Sequence, residues 1–151
     1  MLRIEKTLKE LRDLLPHVQR ESEERLHALD AEVERLLVEI DGVDGLDGVG
    51  VELRRLADCR GIRLDGTEEQ VAWATKIRAE YIDNAIIVDA RKALEYPVEA
   101  AAHVEELKDL EDAQISHLRM RLARNASFWI DNRDVLGYGF RHIAVKEDES
   151  C

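Results

Sequence analysis

Apolar residues recur at alternating intervals of three and four along the first forty residues of the chain. This spacing places one apolar stripe along a helix, and the stripe has to be covered by another helix. Pro16 lacks an N–H group and interrupts the pattern, so we expect two helices that meet near it. The sequence leaves open whether the stripe is covered within one chain or across a dimer.

The N-terminal arm, residues 1–40, is the segment through which we expect the chain to form a homo-oligomer. The expected interface consists of Leu8, Leu11, Leu15, Leu26, Leu29, Val33, Leu36 and Ile40. The alternative is an arm that completes the core of its own chain.

The segment 41–50 contains four glycines in ten residues, among Asp-Gly pairs that favour turns. Each glycine costs a helix about 1 kcal/mol, so we expect a linker here. All seven aromatic residues lie beyond residue 72. We therefore expect a helical core module over residues 51–145, followed by a polar tail at 146–151.

Residues Thr67 and Gln70 have the spacing of a capping box and predict a long helix that extends to about Glu95. Pro97 is expected to end it or to open another helix. The expected buried face of the long helix consists of Val71, Ala74, Ile77, Tyr81, Ala85 and Val88. Little of the sequence alternates with a period of two, so we predict an all-α fold.

The net charge of −11 repels DNA, RNA and anionic lipid unless the basic residues are segregated. Residues 30–52 hold eight acids and one base, residues 95–112 hold seven acids and one base, and residues 113–146 hold six bases and two acids. We expect the second acidic stretch to bind a partner. The candidate residues are Glu99, Glu105, Glu106, Asp109, Glu111 and Asp112. The alternative is that acidic and basic segments pair within the molecule.

No motif for an enzyme, a metal or a cofactor is convincing, and we expect none of the three. The chain lacks a P-loop, a G-x-S-x-G segment and an H-E-x-x-H segment. The Asp-Gly segment lacks the ligand spacing of a calcium loop. Carboxylate pairs such as Glu80 with Asp83, and Glu106 with Asp109, leave a metal-dependent hydrolase as an alternative.

Two tryptophan motifs are the most specific features of the sequence. The first runs from Gly66 to Arg78 as G-T-x-x-Q-x-x-W-A-x-x-I-R, and the second runs from Ala126 to Arg133 as A-S-F-W-I-D-N-R. Together they resemble a pattern found in small proteins of phages and mobile elements. The motifs suggest an aromatic and basic surface formed by Trp73, Arg78, Trp129, Asn132 and Arg133. The alternative is that these side chains pack in the core and cap helix ends.

The resemblance implies an accessory protein of a phage or mobile element, and such proteins include anti-CRISPR inhibitors. We therefore expect a non-enzymatic protein that covers the basic, nucleic-acid-binding surface of a Cas-type partner. The alternative is a protein that binds nucleic acid through its Arg- and Trp-rich C-terminal helices. No apolar run approaches the roughly 20 residues that span a bilayer, so we expect a cytoplasmic protein.

Overall fold

The computed structural model of the chain describes residues 23–133 and shows an all-α fold over this range. The predicted fold class is confirmed. The elements are helix α1 over residues 23–41, α2 at Asp47–Asp58, a 3₁₀ turn at Cys59–Gly61, α3 at Glu68–Glu95, α4 at Pro97–Ala102, α5 at Val104–Leu118 and α6 at Ala126–Asp131. Within this range no helix combines the length and the apolar content that crossing a bilayer requires.

The predicted ends of α3 are confirmed. The hydroxyl of Thr67 accepts from the N–H of Gln70 at 3.2 Å, and the Gln70 side chain accepts from the N–H of Thr67 at 3.1 Å. These two bonds satisfy N–H groups that the first turn of a helix leaves unpaired. At the other end, α3 stops at Glu95 and α4 begins at Pro97, where a missing N–H is tolerated.

The buried face of α3 is rotated by about one residue from the predicted one. Val88 was expected on the buried face, but its side chain is 64% exposed. The observed buried residues are Ala74, Arg78, Ile82, Asp83, Ile86, Ile87, Ala90 and Ala93. The apolar pattern did not include Arg78 and Asp83 in the buried face, because it does not show that both side chains have hydrogen-bond partners inside the fold.

The turn that joins α1 to α2 is shorter than the linker predicted at residues 41–50. Residues 42–45 form a turn in which Gly45 adopts a φ of 90°, a conformation that favours glycine. Asp47 then begins α2, and an acidic residue in a first helical turn is stabilised by the helix dipole. Residues 47–50 of the glycine-rich segment are therefore helical.

Helix α1 packs into the core of its own chain. Val33, Leu36 and Ile40 are at most 2% exposed and belong to the same buried cluster as the apolar residues of α2 and α3. This corrects the predicted oligomer interface at these three residues, since they have no free surface left for a second copy. Of the other interface residues, Leu26 and Leu29 are half-buried, while Leu8, Leu11 and Leu15 lie outside the described residues.

Arg60, in the 3₁₀ turn, links α1 to α3. Its Nη1 atom lies 2.8 Å from a carboxylate oxygen of Asp30 and 3.0 Å from one of Asp83. Its backbone carbonyl accepts a hydrogen bond of 2.9 Å from the buried Arg78. A polar cluster therefore joins three elements at the edge of the apolar core.

The two tryptophan motifs meet where α6 packs against α3. Trp129 is fully buried, its Nε1 donates to the carbonyl of Ala123 at 2.6 Å, and its ring lies 6.0 Å from that of Tyr81. Before α6, the N–H of Asp65 donates to the carbonyl of Arg124, and the N–H of Ala126 donates to the carbonyl of Asp65. These bonds attach the segment before α3 to the segment before α6.

Replacing Trp129 by Phe is expected to lower the free energy of unfolding by about 2 kcal/mol. The change removes the indole hydrogen bond and leaves a void in a close-packed interior. Urea unfolding followed by circular dichroism measures this loss. The control is Trp73→Phe, at a half-exposed position, with an expected loss under about 1 kcal/mol. Equal losses in the two variants would contradict the burial of Trp129.

The variants Asp83→Asn and Glu32→Gln are expected to change the pH dependence of stability in opposite directions. Burial raises the pKa of Asp83, an effect that Arg60 partly offsets. The folded state therefore binds this proton more tightly, and the stability advantage of wild type over Asp83→Asn grows as pH falls from 7 towards about 4.

Hydrogen bonds from Arg35 and Arg91 lower the pKa of Glu32 to about 2. At neutral pH the free energy of unfolding of wild type therefore exceeds that of Glu32→Gln. The difference shrinks as pH falls through about 4.5 towards 2. Urea unfolding of the three proteins between pH 7 and pH 3 measures both trends. Parallel pH profiles for the two variants would show that the assignment is wrong.

Candidate functional site

A groove of about 680 Å³ opens between the C-terminal part of α3 and the N-terminal part of α5. Helices α3 and α5 both pack against α2, and Val49 of α2 lines the groove between them. The lining residues are Val49, Asp89, Lys92, Ala93, Tyr96, Glu99, Ala100, His103, Glu106, Leu107 and Leu110. We take this groove and its acidic surroundings as the candidate site.

The groove depends on a close approach between α2 and α5. A Cβ atom added to Gly48, in the first turn of α2, would lie 2.7 Å from the Cγ2 atom of Val104. Such a distance is too short for two carbon atoms, so any larger residue at position 48 would force Val104 or the helices to shift. Val104 is the first residue of α5, and its position sets where the wall formed by α5 begins.

The groove has an acidic rim with one ammonium group. Glu99 and Glu106 line it from α4 and α5, and Asp89 and Lys92 line it from α3. Burial raises the pKa of Asp89, and the Lys92 charge partly offsets this effect. His103 Nδ1 lies 2.7 Å from a Glu106 carboxylate oxygen. An incoming cation would therefore meet carboxylates on both walls.

The acidic surface continues from the groove along α5. Glu105 and Asp109 are exposed and form no ion pair with any residue between 23 and 133. Asp112 is also exposed, but it accepts a 2.6 Å hydrogen bond from Arg55 of α2. We call Glu99, Glu105, Glu106 and Asp109 the acidic face.

Glu111 does not belong to the acidic face, which corrects the prediction. Its side chain is fully buried, together with Gln114, Ile115 and Leu118. These four residues follow the spacing of one helical face, and this face is directed into the protein. The prediction counted all acids of the segment together and did not separate the two sides of the helix.

The acidic stretch 30–52 is largely neutralised by arginines of the same chain. Five of its eight acids form ion pairs. They are Asp30, Glu32, Glu39, Asp41 and Glu52, and their partners are Arg35, Arg54, Arg55, Arg60 and Arg91. The intramolecular pairing that the sequence left open therefore applies to this stretch. In the acidic face, by contrast, Glu99, Glu105 and Asp109 form no ion pair within residues 23–133.

Of the five residues predicted to form an aromatic and basic surface, only Trp73 and Arg133 stack on each other at the surface. The Trp73 side chain is 50% exposed, and the Arg133 guanidinium lies 5.1 Å from the centre of its ring. Arg78 and Trp129 are buried, which corrects their assignment to the surface. Asn132 Nδ2 donates to the carbonyl of Phe128 and caps the end of α6. Packing and capping therefore account for most of the two motifs.

The carboxylate pair of α3 is engaged by arginines. Glu80 lies 2.6 Å from Arg25, and Asp83 lies 3.0 Å from Arg60. Over residues 23–133, no three His, Cys, Asp or Glu side chains are grouped so that they could hold a metal ion. Cys59 is a buried thiol whose pKa is raised by burial, which disfavours the reactive thiolate.

Several groove residues were missed by the sequence analysis. Among them are Tyr96 and Leu110, which are large, apolar and exposed, and His103, at the junction of α4 and α5. The sequence does contain a signal, because Tyr96, Leu107 and Leu110 stand close to the candidate acids Glu99 and Glu106. The sequence did not show that the end of α3 and the start of α5 form opposite walls.

Comparisons with protein-family models, with curated proteins and with solved structures find no match to this chain. The groove, the acidic face and the distribution of ion pairs are therefore the features that point to a function.

The variant Gly48→Ala tests the contact on which the groove depends. We expect the alanine methyl to clash with Val104, at a cost of about 1–3 kcal/mol that offsets the helix-forming advantage of alanine. Removing the Val104 methyl groups should relieve the clash. In a double-mutant cycle, Gly48→Ala should therefore cost at least about 1 kcal/mol less in a Val104→Ala background.

The control for this cycle is Gly42→Ala. An added Cβ at Gly42 would make only an ordinary contact of 3.5 Å with the carbonyl of Glu39. Its effect should be the same in the wild-type and in the Val104→Ala background, within about 0.5 kcal/mol. Urea unfolding of all the variants provides the energies. Additive effects of Gly48→Ala and Val104→Ala would contradict the close approach of α2 and α5.

Proposed function

We propose that this chain is a non-enzymatic protein that binds a basic surface of another protein through the acidic face and the groove. One observation carries the proposal. Arginines pair with five of the eight acids in the stretch 30–52, whereas Glu99, Glu105 and Asp109 keep carboxylates that no residue between 23 and 133 pairs. A concentrated negative surface attracts a positively charged partner and raises its association rate.

The proposed partner is a protein whose basic surface normally binds nucleic acid. A row of carboxylates has the same sign of charge as a phosphate backbone, so it can occupy such a surface and compete with DNA or RNA. The net charge of −11 repels nucleic acid from the chain outside its basic stretch 113–146. This favours an inhibitor over a nucleic-acid-binding protein.

The resemblance of the two tryptophan motifs to small phage proteins supports a more specific proposal. In that context the partner would be a Cas-type effector in the host cytoplasm, and the chain would act as an anti-CRISPR inhibitor. Its expected effect is to prevent the effector from binding DNA or RNA, without any chemical step.

The test measures DNA binding by a panel of purified RNA-guided nucleases, with and without the full chain. We expect at least one nuclease to lose DNA binding, and the inhibition to weaken by roughly tenfold or more between 50 and 300 mM salt. The triple variant Glu105→Lys, Glu106→Lys, Asp109→Lys should inhibit at least about tenfold less, because each change replaces an attraction by a repulsion.

The matched control is the triple variant Glu24→Lys, Glu34→Lys, Asp44→Lys. These acids are exposed and form no ion pair in the described part of the chain, and they lie on α1 and in the turn after it. The control changes the net charge by the same amount and should inhibit like wild type. Wild-type inhibition by the α5 triple variant, or no inhibition of any nuclease, would contradict the proposal.

A further inference from the structure

The residues that line the groove follow helical spacing along two segments of the chain. Asp89, Lys92 and Ala93 of α3, together with Tyr96 directly after it, line the groove at relative positions 0, 3, 4 and 7. His103, Glu106, Leu107 and Leu110 form the opposite wall with the same spacing. Each wall therefore presents one helical face over two turns, about 10 Å in length.

We infer that the groove binds an amphipathic helix of the partner protein, with apolar anchor residues directed into the groove and Lys or Arg residues beside them. This inference rests on the proposed function and specifies the structure that the acidic face recognises. A helix laid between two helices buries residues at positions 0, 3, 4 and 7 of its own face.

The apolar content of the groove supports the anchor residues. Val49, Ala93 and Leu107 are buried or half-buried in the groove, and Tyr96 and Leu110 are 50% and 40% exposed at its edges. Large apolar side chains that remain exposed beside a concave surface are typical of a binding site. A leucine-like side chain of the partner would cover them.

The charged residues that line the groove favour the binding of a basic helix. The groove is lined by Asp89, Glu99 and Glu106, against one lysine, Lys92. Glu105 and Asp109 extend the negative surface beyond the groove on α5. Asp89 is half-buried and forms no ion pair between residues 23 and 133, so a cation of the partner would gain a carboxylate that is already partly desolvated.

The probe for this inference is a helical peptide of about 14 residues, or four turns. It carries leucine on one face and lysine on the remaining positions. A second peptide has the same composition in an order that does not place leucine on one face. Each is titrated into the ¹⁵N-labelled full-length chain, and the chemical shifts of the backbone amides are recorded.

We expect the amphipathic peptide to shift the amides of Tyr96, His103, Leu107 and Leu110 more than those of the rest of the chain. A contact of two turns is small, so the affinity should be micromolar. The shuffled peptide should bind at least about fivefold more weakly, since it has the charge without the apolar face.

Two surface variants test whether the groove contributes to peptide binding in addition to the acidic face. Leu110→Ser and Tyr96→Ser remove apolar side chains at the edges of the groove, and each should weaken binding of the amphipathic peptide by about tenfold. The matched control is Val51→Ser, at an exposed valine on α2 that does not line the groove. It should bind like wild type.

The outcomes distinguish this inference from the proposed function. The inference is overturned if neither peptide shifts the groove amides, or if the shuffled peptide binds equally well. It is also overturned if Leu110→Ser and Tyr96→Ser bind like wild type while the triple charge reversal of α5 abolishes binding. In that last case the acidic face would bind a basic surface without the groove, and the proposed function would stand.

Discussion

The ion pair between Arg60 and Asp83 is the interaction on which the arrangement of the helices depends. Asp83 lies in the middle of the buried face of α3, where an unpaired carboxylate would destabilise the fold by several kcal/mol. Arg60 supplies the opposite charge from the 3₁₀ turn and also binds Asp30 of α1. The turn after α2 therefore provides partners for both buried polar residues of α3, and the same arginine also contacts α1.

The position of α1 determines which charges remain available for a partner. Because α1 packs against its own chain, four of its carboxylates, those of Asp30, Glu32, Glu39 and Asp41, pair with arginines of α1, α2, α3 and the 3₁₀ turn. Helix α5 meets α2 through its buried face and leaves Glu105 and Asp109 in solvent. The groove exists because α3 and α5 share α2 as a support and remain apart above Val49. The acidic face and the groove are thus consequences of one packing arrangement.

Local features were predictable from the sequence, and long-range partners were not. The capping box at Thr67 and the break at Pro97 depend on neighbouring residues, and both were predicted correctly. The burial of Arg78 depends on the carbonyl of Arg60, which is far from it in the chain, and no spacing indicates that contact. Glu111 shows a related limit, because a list of acidic residues does not show which side of the helix each one occupies.

The apolar stripe of α1 shows that the sequence also does not distinguish packing within one chain from packing between two chains. Its spacing correctly indicates that a partner surface is needed, but a surface of the same chain and a second copy satisfy the pattern equally well. The three residues Val33, Leu36 and Ile40 are covered by the chain itself. The groove was also invisible in the sequence, because its two walls belong to different helices and only the fold brings them together.

Native-state hydrogen exchange at increasing urea concentrations tests most directly whether α1 belongs to the core of its own chain. The account predicts that amides of Val33–Ile40 exchange with the same free energy and urea dependence as those of Ile82–Ala90, at low and at high protein concentration alike. Exchange of the α1 amides through a separate opening of lower energy, or protection that rises with protein concentration, would contradict it.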